Sequence, residues 1–357
     1  MTRHRFTLAA LATLAVPDLD VVVTRTFTGG GDGQHDAALL TDRSGRHLVV
    51  RAPVRAEAAL RLETEGRALD ALTPGARARL PFGVPAVLGV LPSPRAVVSG
   101  YVDGAPLKPG AVGPDGDLVR SVARAIAAVH DLPTSLVADA GLPALTAAQC
   151  GRAVEALVER ADSTGDVPME LIARWSAAAA DPALWRFRPT VVHGALAPEC
   201  VLVGPRSAPE AVTGLLGWSQ LAVGDPARDL AWCLGLPVPG AAAALLGAYA
   251  AARPRAADPA LAQRALLHAE LELVRWLLHG LETRSTAVVD DAVGLLDALL
   301  SSVLEHSAET LAGAAPPVLT VAEVERMLDA RAQRDVPRPS ASRTPVDAHA
   351  ARSSAAE

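Results

Sequence analysis

Length, composition and charge favour a globular protein and exclude two classes of binding surface. The chain has 357 residues, of which 50% are hydrophobic and 3% aromatic, so it can bury the core of a two-lobed or two-domain protein. Its net charge is −6 and its acidic and basic residues are interspersed, which excludes the basic stripe of a nucleic-acid binder and the polybasic patch of a membrane-surface protein.

Cysteine usage and the amino terminus bear on localisation. Cys150, Cys200 and Cys233 are widely spaced and form neither a CxxC pair nor a zinc pattern, which favours a reduced, cytoplasmic protein. Basic residues precede a short apolar run near residues 8–16, as in a signal peptide, but no clean cleavage site follows. The leucines of this run have helical spacing, so we favour an ordinary first helix capped by Thr7.

The first third of the chain alternates predicted strands with one helix. The predicted strands are 21–27, 37–41, 47–52, 84–91 and 95–101, and the predicted helix is 56–72. Turns are predicted at the glycine-rich residues 29–33 and at 42–45. This order predicts a small α+β lobe.

The remainder of the chain has a mainly helical pattern. Helices are predicted at 118–130, 145–162, 169–180, 229–234, 240–251, 260–281, 286–305 and 318–333. Two short apolar runs, 191–203 and 212–218, interrupt them as strand or loop. Residues 335–357 are rich in Pro, Ser and Ala without periodicity, which is typical of disorder. The predicted fold class is therefore α+β, with a strand-rich N-lobe and a larger helical C-lobe.

The most informative motifs lie where the helices are interrupted. The chain reads Val-Val-His-Gly-Ala-Leu-Ala-Pro-Glu-Cys at 191–200, Gly-Leu-Leu-Gly-Trp-Ser at 214–219 and Gly-Asp-Pro-Ala-Arg-Asp-Leu-Ala at 224–231. With Ile-Ala-Ala-Val-His-Asp at 126–131 and the segment 97–107, these motifs resemble the aminoglycoside and macrolide phosphotransferase family, which includes choline and homoserine kinases. The resemblance implies a bilobal, protein-kinase-like fold.

The resemblance also implies how the chain is divided. Residues 1–97 would form a nucleotide-binding type of N-lobe, and 98–104 would form the hinge. The helical C-lobe with its catalytic loop would occupy 105–312. A C-terminal helix and a disordered tail would follow at 313–357.

Three positions that carry phosphoryl transfer in this family are changed here. Family members have His-Gly-Asp, then four residues and an Asn, and further on Asp-Trp. The first Asp accepts the proton of the substrate hydroxyl, while the Asn and the second Asp hold Mg²⁺. The matching residues here are Ala195, Cys200 and Gly217. Ala195 has no proton acceptor, Cys200 offers sulfur where Mg²⁺ prefers oxygen, and Gly217 has only its backbone.

Neighbouring residues leave alternatives open. Glu199 could place an oxygen near a metal, although a solvated loop carboxylate is the simpler interpretation. Asp225 and Asp229 match family carboxylates that brace the catalytic loop and cap the next helix, and Asp225 is kept as a weak candidate metal ligand. His193 matches the motif histidine, which organises the loop by hydrogen bonding, and it is the titratable side chain left in the catalytic triplet.

The nucleotide-binding candidates lie in the N-lobe. Gly30 and Gly31 could turn backbone N–H groups toward phosphates, although any hairpin needs such glycines. The single lysine, Lys108, lies near the hinge, so Arg51 takes the third-strand place of the phosphate-binding lysine. Glu65 matches its pairing glutamate, with residues 57 and 63 as competing glutamates. An ion pair and a plain surface arginine are both consistent with the sequence.

Two further segments are candidates for ligand contact. The backbone from Val98 to Tyr101 would face the edge of adenine or guanine. The predicted helix 260–281 carries four polar residues that could face a polycationic or sugar-like ligand, namely Glu270, Glu272, Arg275 and His279. In the alternative, which we favour, Trp276 and the leucines pack in the core and the polar residues lie on the solvated face.

These motifs lead to three functional hypotheses. The first is a pseudokinase that binds nucleotide or a small ligand, with a protein partner as a further option. The second is a slow or unconventional phosphotransferase that uses ATP or GTP with Mg²⁺ through Glu199, Asp225 or another metal arrangement. The third is a remnant without either role and without a cofactor. A serine hydrolase is disfavoured, because residues 217–221 lack the second glycine of a Gly-x-Ser-x-Gly motif. No nucleic-acid or membrane partner is expected.

Overall fold

The computed structural model describes residues 3–27, 34–204, 211–254 and 257–309. The predicted turn with Gly30 and Gly31, the predicted helix 318–333 and the predicted disorder at 335–357 lie outside these residues. Within them, the fold is the α+β, two-lobed arrangement expected from the sequence.

The N-lobe is built on a five-stranded antiparallel sheet. Its strands are β1 (Val21–Thr26), β2 (His35–Asp42), β3 (His47–Pro53), β4 (Val87–Pro92) and β5 (Arg95–Gly100), in the order β1-β2-β3-β5-β4. Helix α1 (Arg5–Ala15) packs on the sheet through Leu8, Leu11 and Ala12, which are buried with the inward side chains of β2, β3 and β5. Helix α2 (Ala56–Ala71) follows β3 and packs against the C-lobe segment Trp218–Gln220.

The cap of α1 differs from the sequence prediction. His4 is the N-cap, with φ −70° and ψ 146°, and its Nδ1 accepts a hydrogen bond from the N–H of Phe6 at 3.4 Å. Thr7 already lies inside the first turn, where its side chain cannot cap the helix. The prediction of Thr7 as the cap is therefore wrong, while the helix itself is present.

The C-lobe is mainly helical, as predicted. The short helix α3 (Pro74–Arg77) lies between α2 and β4, and the helices of the C-lobe are α4 (Asp117–His130), α5 (Ser135–Asp139), α6 (Ala147–Asp162), α7 (Met169–Ala180), α8 (Ala241–Ala252), α9 (Leu261–Glu282) and α10 (Thr286–Glu309). One core surrounds α4 and the buried Trp218, and another joins α6, α7, α9 and α10 around Trp175. Among the described residues, no helix has both the length and the apolar character needed to cross a bilayer.

Short strands interrupt these helices and position the motifs. They are β6 (Ala105–Pro106), β7 (Thr190–Val192), β8 (Val201–Val203), β9 (Val212–Leu215) and β10 (Ala222–Gly224). Strand β7 pairs with β10, and β6, β8 and β9 form a second small sheet. The helix predicted at 229–234 is instead the 3-10 segment Pro226–Gly235. The loop between β7 and β8 therefore lies beside the turn that follows β9 and the start of this 3-10 segment.

Candidate functional site

The loop after β7 is held in place by one buried carboxylate. Oδ2 of Asp229 accepts a hydrogen bond from the backbone N–H of His193 at 2.6 Å, and Oδ1 accepts one from the N–H of Gly194 at 2.7 Å. Gly194 has a φ of 82°, and a Cβ added there would lie 2.3 Å from the carbonyl oxygen of Gln220. Only glycine fits this position, so the local fold requires Gly194.

The ring of His193 is fully buried in the same loop structure. Its Nε2 lies 2.8 Å from the carbonyl oxygen of Leu216, so Nε2 carries the proton and donates it. Burial lowers the pKa of His193, against the opposing charge of Asp229, so the ring is neutral at neutral pH. Its Nδ1 has no hydrogen-bond partner among the described residues. Through its ring, His193 connects the loop after β7 to the turn that follows β9.

A second buried histidine holds Asp229. Nε2 of His130 lies 3.1 Å from Oδ2 of Asp229, and Nδ1 of His130 lies 2.8 Å from the hydroxyl of Tyr249. Burial alone would raise the pKa of Asp229, but the hydrogen bonds from His130 and the loop amides outweigh it and hold that pKa below its usual value. The ionised carboxylate is thus fully occupied by the loop and its support.

Asp225 is occupied in a similar way. Its Oδ1 caps the 3-10 segment by accepting the N–H of Ala227 at 3.0 Å, while Oδ2 lies 2.9 Å from Nε of Arg264 and 3.1 Å from Nε2 of His268. Burial opposes ionisation, yet the hydrogen bonds and charges of His268 and Arg264 lower the pKa of Asp225. The candidate assignment of Asp225 as a metal ligand is corrected, because protein donors already occupy both of its oxygens.

The three changed positions lie close together in space. A Cβ added to Gly217, whose φ is 80°, would lie 3.1 Å from Sγ of Cys200 and 3.9 Å from Cε1 of His193. Sγ of Cys200 in turn lies 3.7 Å from the carbonyl oxygen of Ala195. Ala195 is exposed and Cys200 is half-buried. The motif positions thus form one constellation at the edge of the loop.

This constellation does not fit a Mg²⁺ ion. Burial and then the charge of Glu199 raise the pKa of Cys200 to about 11, so its thiol stays protonated. Gly217 has no side chain, and the carboxylates of Asp225 and Asp229 are engaged elsewhere. Over the described parts of the chain, no group of three or more His, Cys, Asp and Glu side chains could hold a metal ion. Glu199 itself is exposed and makes no ion pair with these residues.

The N-lobe contains the ion pair that the sequence left open. Nη1 of Arg51, on β3, lies 2.8 Å from Oε2 of Glu65, on α2, and the two side chains are 24% and 7% exposed. The charge of Glu65 adds to the raised pKa of Cys200, so the pair lies near the changed constellation. The competing Glu63 instead pairs with Arg95 at 2.7 Å.

The predicted base-binding backbone is only partly accessible. Val98 lies inside β5, paired with Val50 on one side and Gly89 on the other, and its side chain is buried in the N-lobe core. The N–H of Tyr101 donates to the carbonyl oxygen of His47 at 3.1 Å. Val98 is therefore corrected as a base-contacting residue, because a central strand uses its own backbone groups in the sheet. Backbone groups that could meet a base edge begin after β5.

A cavity of about 430 Å³ adjoins the loop. Its wall is mostly apolar and is formed by residues 194–197, the 3-10 segment, α9 and α10. Ala195 lies in this wall, so the cavity reaches the position where the family carries its proton acceptor. The polar side chains Arg228, Glu270 and Glu272 also line it.

Helix α9 places its polar residues differently from either sequence interpretation. Glu270 is buried, whereas Trp276 is 40% exposed and donates from Nε1 to Oδ2 of Asp291 at 2.8 Å. The favoured prediction of a buried Trp276 is therefore wrong, because Glu270 finds partners inside the lobe and can be buried. Arg275 and His279 do not line the cavity.

Comparison with known proteins identifies the family. The model of the phosphotransferase enzyme family matches residues 26–267. The chain belongs to this family. Two solved structures agree: macrolide 2'-phosphotransferase type I is 28% identical with a TM-score of 0.67, and 82% of this chain covers 95% of it. Macrolide 2'-phosphotransferase MphH from Brachybacterium faecium, as the apoenzyme, is 25% identical with a TM-score of 0.68, over 82% of this chain and 97% of that one.

Two other similarities give weaker support for the family assignment. APH(2")-IIIa in its GDP and kanamycin complex is 20% identical with a TM-score of 0.67, over 85% of this chain and 99% of that one, and this likeness shows the fold alone. The uncharacterized protein YcbJ of Bacillus subtilis (strain 168) is 28% identical over 117 residues, which is 32% of this chain. The match spans 37% of the length of YcbJ.

Sequence reasoning missed several residues that shape this site. Arg264 lies far along the chain from the motifs, whereas His130 is within the 126–131 motif and Trp232 directly follows the 224–231 motif. None of the three has a spacing that indicates its contacts. One available signal was the arginine within the otherwise apolar start of α9, since a buried cation requires carboxylate partners. Asp225 and the preceding Asp258 supply them.

Proposed function

We propose that this phosphotransferase-family protein binds a nucleotide or small ligand and does not transfer phosphate efficiently. The observation that best supports this proposal is a contrast within the loop after β7. Asp229 fixes the backbone of His193 and Gly194, while the adjoining position for proton acceptance is Ala195. Losing a positioned base costs about 10²–10⁴ in rate, and the absence of a fitting metal site adds to that loss.

Retention of a ligand-binding scaffold is supported from both lobes. The Arg51–Glu65 ion pair resembles the pair that positions phosphates in kinases, and Arg51 can offer two N–H groups to phosphate oxygens. The cavity beside the loop gives room for a small molecule. Relatives of the same fold have been seen with GDP, which supports nucleotide as one ligand of this chain.

Thermal unfolding with nucleotide tests the binding half of the proposal. Millimolar ATP or GTP, with and without Mg²⁺, is expected to raise the melting temperature by mass action. The shift should shrink in Arg51→Met and persist in Arg25→Met, a matched change of an exposed arginine on β1. No shift with either nucleotide would contradict nucleotide binding.

Restoration of the family residues tests the catalytic half. The triple variant Ala195→Asp, Cys200→Asn, Gly217→Asp is expected to gain phosphate transfer to small alcohols, aminoglycosides or macrolides, while the wild-type chain shows none above background. Transfer by the wild-type chain at a rate similar to the triple variant would overturn the proposal.

The second candidate is an unconventional phosphotransferase that uses Glu199. It is favoured by one observation, because Glu199 is exposed, unpaired in the described residues and close enough to affect the pKa of Cys200. Under this hypothesis the wild-type chain transfers phosphate and Glu199→Gln does not. Glu155→Gln, which changes an exposed carboxylate on α6, is the matched control.

A further inference from the structure

The carboxylates in the wall of the loop cavity are already neutralised. Glu270 accepts hydrogen bonds from Nε and Nη2 of Arg174 at 3.1 and 2.9 Å, and from Nε1 of Trp175 at 2.7 Å. Glu272 lies 2.7 Å from Nη1 of Arg275. A cationic ligand would therefore compete with these arginines for each carboxylate.

The same wall contains a cation without a counter-charge. Arg228 is half-buried and its guanidinium makes no hydrogen bond or ion pair within the described ranges. Trp232 also lines the cavity, but its Nε1–H is closed to solvent and therefore to a ligand. A partly buried charged donor without a partner costs free energy, so an anionic group beside Arg228 would be stabilising.

The pairing of the charges in the cavity wall leaves Arg228 over. Glu270 and Glu272 each form an ion pair with an arginine outside the wall, Arg174 and Arg275, whereas Arg228 contacts no carboxylate within the described residues.

We propose that the cavity binds an amphiphilic anion, with its carboxylate or phosphate head at Arg228 and its apolar part between α9 and α10. This inference rests on the proposed function, which takes the cavity as a ligand site. The apolar part would contact Leu266 and Leu273 of α9 and Leu295 and Leu299 of α10. Burial of such a chain supplies affinity, and the paired charge supplies selectivity.

Three ligands with the same ten-carbon chain separate the contribution of the apolar chain to affinity from the contribution of the charged head group. Decanoate and decylamine below their micellar concentrations, and decanol below its solubility limit, are titrated calorimetrically into the full-length protein at pH 7.5. Decanoate is expected to bind about tenfold or more tightly than the other two, the range of a charge-assisted hydrogen bond. Equal or tighter binding of decylamine would overturn the proposal, as would no binding of all three.

Substitutions locate the head group. Arg228→Met should weaken decanoate binding about tenfold or more and leave decanol binding unchanged. Arg188→Met, an exposed arginine outside this cavity, is the matched control and should change nothing. An unchanged preference for decanoate in Arg228→Met would contradict the assignment.

The outcome is distinguishable from failure of the proposed function. Leu273→Trp, which fills the cavity, should abolish decanoate binding and preserve the nucleotide-dependent rise in melting temperature. If decanoate binds through Arg228 while nucleotides give no shift, the nucleotide part of the proposed function fails and the ligand class stands. If nucleotides bind and decanoate shows no preference, the ligand class fails alone.

Discussion

The residues that hold the loop after β7 in place and the residues at its exposed edge differ in burial and in pairing. His130, Asp225, Asp229 and Arg264 are each at most 5% exposed and bonded to one another or to the loop, whereas Ala195 and Glu199 are exposed. Buried polar groups must be paired whether or not the protein is an enzyme, because an unpaired one destabilises the fold. An exposed position carries no such constraint. The presence of the buried supporting residues is therefore evidence about folding. The residues at the exposed edge of the loop are evidence about catalysis.

The largest expected effect comes from breaking the support. Asp229→Ala leaves two buried amides and His130 without their acceptor, and should lower the free energy of unfolding by about 3–5 kcal/mol. Chemical denaturation measures this change. Asp131→Ala, which removes an exposed carboxylate paired with Arg253, should cost under about 1 kcal/mol. A similar loss of unfolding free energy in the two variants would contradict the distinction between buried supporting residues and exposed residues.

The next effect separates close packing from backbone conformation. Gly194→Ala should destabilise by about 3 kcal/mol or more, because its Cβ would overlap the Gln220 carbonyl and its φ is positive. Gly45→Ala has a similar φ of 84° with nothing within 4 Å, so it should cost only about 1–2 kcal/mol. Equal losses in denaturation midpoint would show that the Gln220 contact is unimportant.

The two lost metal positions should be coupled. Gly217→Asp is expected to cost about 1–2 kcal/mol, from its positive φ and the contact with Sγ of Cys200. Removing that sulfur in Cys200→Ala should reduce the cost, giving a non-additive double-mutant cycle of at least about 0.5 kcal/mol. Strict additivity would mean that the sulfur does not restrict this position.

The smallest effect is a dependence of stability on pH. The folded pKa of His193 lies below its unfolded value, about 6.5, so the unfolded state binds more protons as the pH falls. Its contribution to stability is complete above pH 6.5 and is lost below it. The lowered pKa values of Asp225 and Asp229 add a further loss below about pH 4. In His193→Gln the decrease between pH 7 and 5 should become smaller.

Much of the fold could be predicted from the sequence because periodicity reports burial directly. The helix at 169–180 and the succession of strands and helix α2 along the N-lobe follow from such patterns. Helix ends were harder to predict, because His4 caps α1 through a ring nitrogen and helix-capping preferences do not indicate histidine. Within the site, motif spacing identified His193, Ala195, Cys200 and Gly217 as a group, and the structure places them together.

The remaining features depend on tertiary contacts that spacing does not encode. The burial of Glu270 requires Arg174 and Trp175, which come from α7 some distance along the chain. Because these partners exist, the carboxylate turns inward and Trp276 is left exposed. The apolar cavity likewise combines α9, α10 and the loop, and a single helical pattern cannot reveal what another helix adds.

Arg264 has a consequence for synthesis of the protein. It is completely buried and joins Asp225, Asp258 and the carbonyl oxygen of Leu184. A nascent chain that ends before Arg264 would have to bury Asp225 without its arginine. The C-lobe should therefore remain incompletely folded on the ribosome until α9 emerges. The 3-10 segment and the loop after β7 should then assemble together at a late stage.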